Sequence, residues 1–349
     1  MSKKVRIGNL YIGGGEKPLI QSMTTFAPKD TENCINQIKR LEDAGCEIVR
    51  FCVADEADAS SIKKIKDATK IPLVADVHFD YRLGILAVEN GADKLRINPG
   101  NIGGEKEITA VADCLKAHKI PVRVGANSGS IEKELLKKYG VSVESLVQSA
   151  MNNVKTLEKH GVYDIVVSVK ASDVRLMTES YRALSKVCDY PLHIGVTEAG
   201  GGELGKIKNA VGIGALLLDG IGATLRVSLS EDPVEEVAVA KNILRSVGID
   251  KNFVNVISCP TCGRCNWDCM AFAKKVCEKT KKENKPLNVA IMGCVVNGVG
   301  EGKSADIGIA GGKDKAVIFK KGEAYAECSF EDAEEIFFGE IEKCLKWKK

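Results

Sequence analysis

Eight short apolar segments recur through roughly the first 245 residues, and this repeat limits the fold more than any other feature of the sequence. Four of the segments begin with proline, and the other four follow a glycine that ends a stretch of helical spacing. The two kinds alternate along the chain: Pro18, Gly45, Pro72, Gly91, Pro121, Gly161, Pro191 and Gly222. Proline suits the first residue of a strand, and glycine after a helix adopts the left-handed cap. The pattern therefore predicts eight strands that alternate with helices.

Stretches with helical periodicity lie between the strand candidates, for example residues 31–44, 59–69, 81–90 and 145–159. Eight strands alternating with helices are typical of a (β/α)8 TIM-type barrel. A doubly wound open sheet is the alternative, because periodicity alone does not show whether a sheet closes. The count of eight strands favours the barrel.

The repeat stops after Gly248, and a second domain is expected from there on. Residues 254–273 are rich in cysteine, and further strand candidates lie at 287–292, 306–310 and 316–320, with helical spacing over 330–346. A chain of 349 residues also exceeds the usual size of a single core. We predict a substrate-binding barrel over residues 1–250 and a smaller α/β domain over residues 251–349.

Composition narrows the classes of partner. The net charge of +3 is too small to indicate binding to nucleic acid or to an anionic membrane surface. No apolar run approaches the ~18 residues that span a bilayer, and the N-terminal sequence has no signal-peptide pattern. We expect a cytoplasmic protein, in which the 13 cysteines stay reduced.

Basic residues lie at the ends of five different strand candidates: Arg50, Arg96, Arg123, Lys170 and Arg226. The carboxyl ends of barrel strands share one face, where active sites of this fold are found. A single arginine there is best explained by a nearby carboxylate, but five cations in one pocket would repel one another unless an anion bound. Because guanidinium groups bind phosphate oxygens in pairs, we predict a phosphate or diphosphate ligand.

Other polar residues complete the rim of the predicted barrel mouth: Gln21, Asp76, His78, His193 and Glu198. Glu198 lies in the segment VTEAGGGELG, whose glycines let the backbone approach a ligand closely. His78 and Glu198 are candidate proton donors. His193 is better explained as a hydrogen-bonded histidine inside the barrel.

The most specific spacing in the chain is that of CPTCGRCNWDC, which contains Cys259, Cys262, Cys265 and Cys269. The pattern CxxCxxCxxxC matches the cysteine spacing of bacterial ferredoxins, although no proline follows the last cysteine. Two alternatives stay open, namely a zinc site built on CxxC and a redox-active dithiol.

A second motif, MGCVVNGVGE, places Cys294 at the end of a strand candidate, ahead of a glycine-rich loop and Glu301. Cys294 would complete a three-thiolate site with Cys259 and Cys262, and Glu301 would be a fourth, oxygen ligand. An iron with an oxygen ligand can exchange it for a substrate oxygen, as a catalytic cluster requires. The remaining eight cysteines are expected to be buried thiols.

Together these motifs resemble the 4-hydroxy-3-methylbut-2-enyl diphosphate synthase family of the methylerythritol phosphate pathway, which supplies isoprenoid precursors. The segments that carry the resemblance are IQSMTT (20–25), ADVHFD (75–80), LRINPGNIG (95–103), VRVGANSGS (122–130), VTEAGG (196–201), LRVSLS (225–230), ISCPTCGR (257–264) and MGCVVNG (292–298). They cover nearly the whole chain. The family fold is a TIM-type barrel followed by a cluster domain.

The resemblance implies an oxidoreductase that opens the ring of 2-C-methyl-D-erythritol 2,4-cyclodiphosphate reductively, with loss of water. It implies a 4Fe–4S cluster, a ferredoxin or flavodoxin as electron donor, and a homodimer in which one chain's cluster closes over the other chain's barrel. Glu198 is implied as the acid that assists departure of the hydroxyl. The implied cluster ligands are Cys259, Cys262, Cys294 and Glu301. The implied substrate contacts are Arg50, Arg96, Arg123, Lys170, Arg226 and Ser228, with Asn127 close by, and we add His78 from the rim.

Three residues depart from the family's pattern. Val299 stands where the family commonly has proline, and Cys265 and Cys269 stand where it usually has no cysteine. Cys265 is an alternative cluster ligand in a ferredoxin-like arrangement, but we favour Glu301, because Cys265 is so close to Cys262 that it must coordinate locally. Two rival functions are a non-catalytic electron carrier, which leaves the five cations unexplained, and a phosphate-binding barrel enzyme with a structural zinc.

Overall fold

The computed structural model describes residues 2–296, 300 and 302–347. By its internal contacts the chain divides into two compact units, Met1–Ile249 and Asp250–Lys349. Within the described residues, no helix is both long enough and apolar enough to cross a membrane.

The first unit is a closed barrel of eight parallel strands. They are β3 Leu19–Met23, β4 Ile48–Cys52, β5 Leu73–Asp76, β6 Lys94–Arg96, β7 Val122–Asn127, β8 Ile165–Lys170, β9 His193–Ile194 and β10 Thr224–Leu225. Neighbouring strands follow the order β8-β7-β6-β5-β4-β3-β10-β9, and a parallel bridge from Val167 to Leu192 joins β8 to the segment leading into β9. The prediction of a barrel rather than an open sheet is confirmed.

Helices cover the outside of the barrel: α1 Thr31–Ala44, α2 Glu56–Ala68, α3 Tyr81–Glu89, α4 Glu105–His118, α5 Lys133–Tyr139, α6 Val143–Lys159, α7 Val174–Val187, α8 Gly202–Leu218 and α9 Pro233–Ser246. Side chains of Asp55 and Ser142 accept backbone N–H groups at the starts of α2 and α6. These caps explain why both helices begin two or three residues before the apolar periodicity predicts, since the periodicity registers only buried positions.

A hairpin that the sequence analysis did not predict closes the N-terminal end of the barrel. Its strands are β1 Lys4–Ile7 and β2 Leu10–Gly13, paired antiparallel. Val5, Ile7 and Ile12 are buried in one cluster with Leu19 and Ile48, which lie near the starts of their strands. Since the hairpin covers this end, the opposite, C-terminal end of the strands is the open mouth of the barrel.

The second unit contains one five-stranded sheet. Its strands, in order across the sheet, are β11 Val254–Ser258, β12 Leu287–Met292, β13 Ile307–Gly311, β14 Ala316–Lys320 and β15 Glu323–Cys328. The first three strands are parallel and the last two pair antiparallel. Two helices accompany them, α10 Cys269–Thr280 and α11 Ala333–Trp347.

Strand alternation gives this sheet two different faces. Val289 and Ile291 belong to a cluster with residues of α10 and α11, such as Phe272 and Phe337, and we call this the helix-covered face. The neighbours of these strand residues, such as Met292, belong to a smaller cluster, and we call this the second face. Strands β11 and β15 were not predicted, because β11 merges into the cysteine-rich segment and β15 is a largely exposed edge strand.

Candidate functional site

The five predicted cations converge at the mouth of the barrel. The side chains come from strands β4, β6, β7 and β8 and from the residue that follows β10. The pKa of Lys170 lies well below its ordinary value, because its side chain is buried and four guanidinium groups lie near it. They belong to Arg123, Arg50, Arg226 and Arg96. The predicted grouping of these residues is therefore found in the structure, but Arg123 is the second residue of β7 and does not lie at its predicted C-terminal end.

Asp76 of β5 holds two of the arginines together. Its carboxylate accepts a hydrogen bond from Nη1 of Arg96 at 2.9 Å and lies 3.5 Å from Nε of Arg50. Burial by itself would raise the pKa of this carboxyl, but the charge of Arg50, the hydrogen bond from His78 and the charge of Arg96 together lower it below its ordinary range. Asp76 therefore stays ionised and fixes two guanidinium groups at the mouth.

Glu236 of α9 likewise fixes the fifth basic side chain, that of Arg226. Its buried carboxylate accepts hydrogen bonds from Nη2 of Arg226 at 3.1 Å and from the hydroxyl of Ser22 at 2.9 Å. The backbone N–H of Leu229 donates a third, at 3.1 Å. The sequence analysis missed Glu236, because it lies in a helix and far from any strand end in the sequence.

The guanidinium groups of Arg50 and Arg226 also direct donors at the sulfur of Met23. Nη2 of Arg50 lies 2.9 Å and Nη1 of Arg226 lies 3.7 Å from the sulfur. A thioether is a weak acceptor, whereas a phosphate oxygen forms short, charge-assisted bonds with guanidinium. These donors are thus poorly satisfied until an anion binds.

Arg123, inside the barrel, also has a donor that lacks a good acceptor. Its side chain is buried, and its Nη1 has no hydrogen-bond partner. Burial and the charges of Arg50 and Arg96 lower the pKa of this guanidinium well below its ordinary value. A buried charge without a partner is costly, so a negatively charged ligand would relieve the strain on this group.

Lys94 of β6 is a sixth basic residue of the barrel interior, and the sequence analysis missed it. It is fully buried, and its Nζ lies 3.5 Å from Oε1 of Gln21. Burial, and then the charges of Arg123 and Arg50, lower its pKa well below the ordinary lysine value. A signal was present, since Lys94 and Arg96 are two residues apart on one strand and so face the same way.

His193 lies inside the barrel, as predicted. Its Nδ1 is 2.8 Å from the hydroxyl of Thr224, but Nε2 has no partner, so only one ring nitrogen is satisfied. The side-chain nitrogen of Gln21 is also buried without a partner. His193 and Gln21 therefore each have a buried polar atom that a ligand or solvent could satisfy.

The remaining predicted residues of the mouth lie on its rim. A ring nitrogen of His78 is 3.2 Å from Nη1 of Arg96. Asn127 ends β7 in register with Lys170, and the backbone N–H of Ser228 donates to Oδ1 of Asn209. Glu198 is exposed in the loop after β9 and has a left-handed backbone with φ of 53°, a conformation that side chains other than glycine adopt mainly where the surroundings impose it.

In the second unit, two of the predicted ligand cysteines lie at one sheet edge. Cys259 follows β11, and Cys294 follows the neighbouring parallel strand β12. The N–H of Cys259 donates to the carbonyl of Ile291 at 2.9 Å. Cys262 lies in the exposed turn beyond, where hydrogen bonds from the backbone and side chain of Arg264 lower its thiol pKa.

Thiols are the donors that iron–sulfur clusters use, so this sheet edge fits such a cluster in chemistry. Within the described part of the chain, no three metal-ligating side chains are already close enough to hold an ion. Glu301, the predicted fourth ligand, and Val299 lie outside the described residues. Such a ligand set would have to close around the metal as it binds, as small metal domains commonly do.

Cys265 and Cys269 occupy a different place from the other cysteines of the motif. Their sulfur atoms are 3.6 Å apart, and both residues pack with the helix-covered face, whereas Cys259 packs with the second face. Burial, the hydrogen bond to Cys265 and the charge of Cys265 raise the pKa of the Cys269 thiol to about 12.

The remaining eight cysteines were predicted to be buried, and this is correct for Cys34 and Cys46 only. Cys52 and Cys277 are exposed, and the other four are partly exposed, namely Cys114, Cys188, Cys328 and Cys344. Cys52 is the last residue of β4, at the barrel mouth, and Cys277 lies on the outer side of α10.

A closed parallel barrel with basic residues at its mouth, followed by a cysteine-bearing α/β domain, defines a class of two-domain proteins. The chain belongs to the GcpE family. The family model of the GcpE TIM-barrel domain matches residues 2–241, and the model of the GcpE protein C-terminal domain matches residues 255–343.

Relatives along nearly the full length bear one name, 4-hydroxy-3-methylbut-2-en-1-yl diphosphate synthase (flavodoxin). The protein from Caldanaerobacter subterraneus subsp. tengcongensis is 54% identical over 347 residues, covering 99% of this chain and 98% of the relative. The protein from Clostridium acetobutylicum is 51% identical over 342 residues, covering 98% of each chain. The predicted family and the prediction of an enzyme are confirmed.

Solved structures support the fold alone. A sialic acid synthetase from Leptospira borgpetersenii aligns with a TM-score of 0.51 at 13% identity, covering 81% of this chain and 99% of the other. A 7,8-dihydropteroate synthase from Vibrio fischeri aligns with a TM-score of 0.51 at 11% identity, covering 70% and 98%.

Proposed function

We propose that this chain is a 4-hydroxy-3-methylbut-2-enyl diphosphate synthase, which converts 2-C-methyl-D-erythritol 2,4-cyclodiphosphate by reductive ring opening and loss of water. The observation that carries the proposal is the convergence of five basic side chains at the barrel mouth, from four strands and the residue that follows a fifth. The buried carboxylates described among them are those of Asp76 and Glu236. The names of the full-length relatives support the same reaction.

In this proposal the cationic side chains bind and orient the substrate. Arg50 and Arg226 turn their donors from the Met23 sulfur to diphosphate oxygens, and Arg123 gains the acceptor that its Nη1 lacks. Because Asp76 and Glu236 already hold three of the arginines, little reorganisation is needed on binding. Lys170, Ser228, Asn127 and His78 complete the substrate contacts.

Glu198 is proposed as the acid that protonates the departing hydroxyl, which makes water the leaving group. Its loop lies at the C-terminal end of β9, on the side of the barrel where the cations converge. No side chain can supply the two electrons, so a cofactor must.

The cofactor that we propose is a 4Fe–4S cluster, which would supply these electrons one at a time when bound. Cys259, Cys262 and Cys294 would hold it through thiolates, and Glu301 would be the fourth ligand. The placement of Cys259 and Cys294 on neighbouring strand ends supports this assignment. The electron donor would be a flavodoxin, as the relatives' names state for those proteins, or a ferredoxin.

We further propose a cytoplasmic homodimer. Helix α8 exposes apolar residues at successive spacings of three, four and seven, which are Leu204, Ile207, Val211 and Leu218. A stripe with this spacing resembles a helix-pairing seam and suits a two-fold contact with a second copy. Sedimentation of the Ile207→Asp variant as a monomer would support this interface, and an unchanged dimer would oppose it.

The decisive experiment for the reaction is anaerobic turnover of the cyclodiphosphate with a strong chemical reductant, alongside counts of iron and sulfide. We expect formation of the linear enyl diphosphate by protein that carries both elements. Zinc in place of iron and sulfide, or no turnover by a fully loaded protein, would refute the proposal.

The Arg123→Met variant tests the substrate site itself. Loss of a paired anion contact should raise KM by at least about tenfold. Arg182→Met is the matched control, because Arg182 pairs with Asp219 on the barrel exterior and its loss should leave KM unchanged.

A further inference from the structure

Two cysteines that the proposed cluster does not use lie side by side in the second unit. The sulfur atoms of Cys265 and Cys269 are 3.6 Å apart. Cys269 is the first residue of α10 and is buried, whereas Cys265 is partly exposed in the preceding turn. The sulfur of Cys265 also donates to the carbonyl of Trp267 at 3.1 Å. One accessible thiol thus lies in contact with one protected thiol.

The two thiols pack on a different face of the sheet from Cys259, one of the proposed cluster ligands. Cys265 and Cys269 pack with Phe272 and Trp267 on the helix-covered face, while Cys259 packs with the second face. Within the described residues, the nearest sulfur partner that the structure gives either thiol is the other one. Their position fits a dithiol better than it fits a pair of competing iron ligands.

The dithiol is nevertheless joined to the segments that carry the ligands. The N–H of Cys265 donates to the carbonyl of Cys262 at 2.9 Å, and the indole N–H of Trp267 donates to the carbonyl of Met292 at 3.0 Å. A β-carbon added at Gly293 would lie 2.8 Å from the sulfur of Cys265. Gly293, the residue before Cys294, thus leaves room for this sulfur.

We propose that Cys265 and Cys269 form a reversible disulfide when the protein meets a low-molecular-weight disulfide such as glutathione disulfide. The Cys265 thiolate attacks one sulfur of the glutathione disulfide and releases one glutathione thiol. The Cys269 sulfur then attacks that of Cys265 and releases the second. The protein loses two electrons and two protons, and the oxidant becomes two glutathione thiols.

The geometry favours the second step. The sulfur atoms must approach from 3.6 Å to the ~2 Å of a disulfide bond, a distance within the reach of side-chain rotation. Burial is the main cause of the raised pKa of Cys269, and the Cys265 thiol adds to it. The second contribution is lost once Cys265 is in the mixed disulfide. Cys265, which is the more exposed thiol, reacts first, and Cys269 resolves the adduct.

The sequence provides a direct readout. Trypsin cleaves after Arg264 and Lys274, so both thiols, and no other cysteine, lie in the peptide CNWDCMAFAK, residues 265–274. Iron-loaded protein is treated anaerobically with glutathione disulfide, alkylated, digested and analysed by mass spectrometry. We expect the peptide to lose about 2 Da, to carry no alkyl group, and to recover both thiols after dithiothreitol. Iron content should not change.

Two variants make the test specific. In Cys265→Ser the 2 Da loss should disappear and Cys269 should stay unmodified, because it is buried, while the iron content stays at the wild-type value. Cys277→Ser is the matched control, since Cys277 is an exposed cysteine of the same helix, and this variant should keep the 2 Da loss. The proposal is overturned if both thiols of the wild-type peptide are still alkylated after treatment. Loss of iron in Cys265→Ser would overturn it too, because Cys265 would then be a ligand. The readout is a peptide mass, so the outcome does not depend on the proposed reaction.

Discussion

The barrel mouth and the cysteine edge differ in how far they are organised without a ligand. By the cysteine edge we mean the neighbouring strand ends of the second unit that carry Cys259 and Cys294. At the mouth, buried Asp76 and Glu236 fix Arg50, Arg96 and Arg226 before any ligand is present. At the cysteine edge, the thiols lie at strand ends and in an exposed turn, and no three ligands of the described chain are yet grouped. The fold alone organises the mouth, whereas the edge would be organised by the proposed cluster.

The difference follows from what each ligand can contribute. The proposed diphosphate would bind through many moderate contacts, so cations that are fixed in advance would favour its binding at each turnover. The proposed cluster would bind strongly enough to order its own loop, because metal-binding energy can act as folding energy. The predictions below test this contrast.

The largest effect is expected at the cysteine edge. Replacing Cys294 by Ser removes a buried proposed ligand, and iron content and turnover should both fall by at least about tenfold. Iron and sulfide analysis of anaerobically purified protein measures the loss. Cys277→Ser serves as control and should keep full iron. If the Cys294→Ser protein retains iron but loses turnover, the edge binds iron without this thiol. The edge would then be organised without this ligand, as the mouth is.

At the mouth, removing a fixed carboxylate should cost stability even without any ligand. Asp76→Asn leaves Arg50 and Arg96 buried without their counter-charge and should lower the free energy of unfolding by about 3 kcal/mol. Urea unfolding measures the difference. Asp80→Asn is the control, because this half-buried carboxylate pairs with the exposed Arg82 and asparagine still caps α3. It should change stability by less than about 0.5 kcal/mol.

The same pair of proteins predicts a pH dependence with a definite sign. The pKa of Asp76 is lowered in the folded protein, so its contribution is complete above the ordinary aspartate value of about 4. As the pH falls below that value, protons bind the unfolded state first, and the stability gap between wild type and Asp76→Asn should shrink. A gap that stays constant from pH 6 down to pH 3 would mean that Asp76 acts through packing and not through charge.

The sequence predicted a site residue correctly where its own position in a strand marks it. It failed where the role of a residue depends on a partner that is distant in the sequence. Arg50, Arg96 and Arg123 stand out as charges within apolar strand runs, and strand direction alone brings them together. Glu236 could not be found this way, since only the closed barrel places its helix against Arg226. The spacing of Cys265 and Cys269 is equally compatible with a cluster and with a dithiol, and only the face of the sheet on which they pack separates the two.

The smallest predicted effect has the opposite sign and concerns Lys94, the buried base that strand alternation could have revealed. Burial and the charges of Arg123 and Arg50 lower its pKa, so the folded protein binds the lysine proton less tightly than the unfolded chain does. Lys94→Met keeps a similar volume without that cost and should raise the free energy of unfolding by about 1–2 kcal/mol at pH 7.

The gain from Lys94→Met should shrink as the pH rises towards about 10, where lysine loses its proton in the unfolded chain as well. Urea unfolding at pH 7 and pH 9.5 measures the trend, with Lys63→Met as control, since that lysine is exposed on α2 and should show neither gain nor trend. If Lys94→Met is instead less stable at both pH values, the contact between Lys94 and Gln21 outweighs the cost of burying a base. The polar groups inside the barrel would then be satisfied without an anion. The difference in organisation between the barrel and the cysteine edge would be greater than the mouth alone indicates.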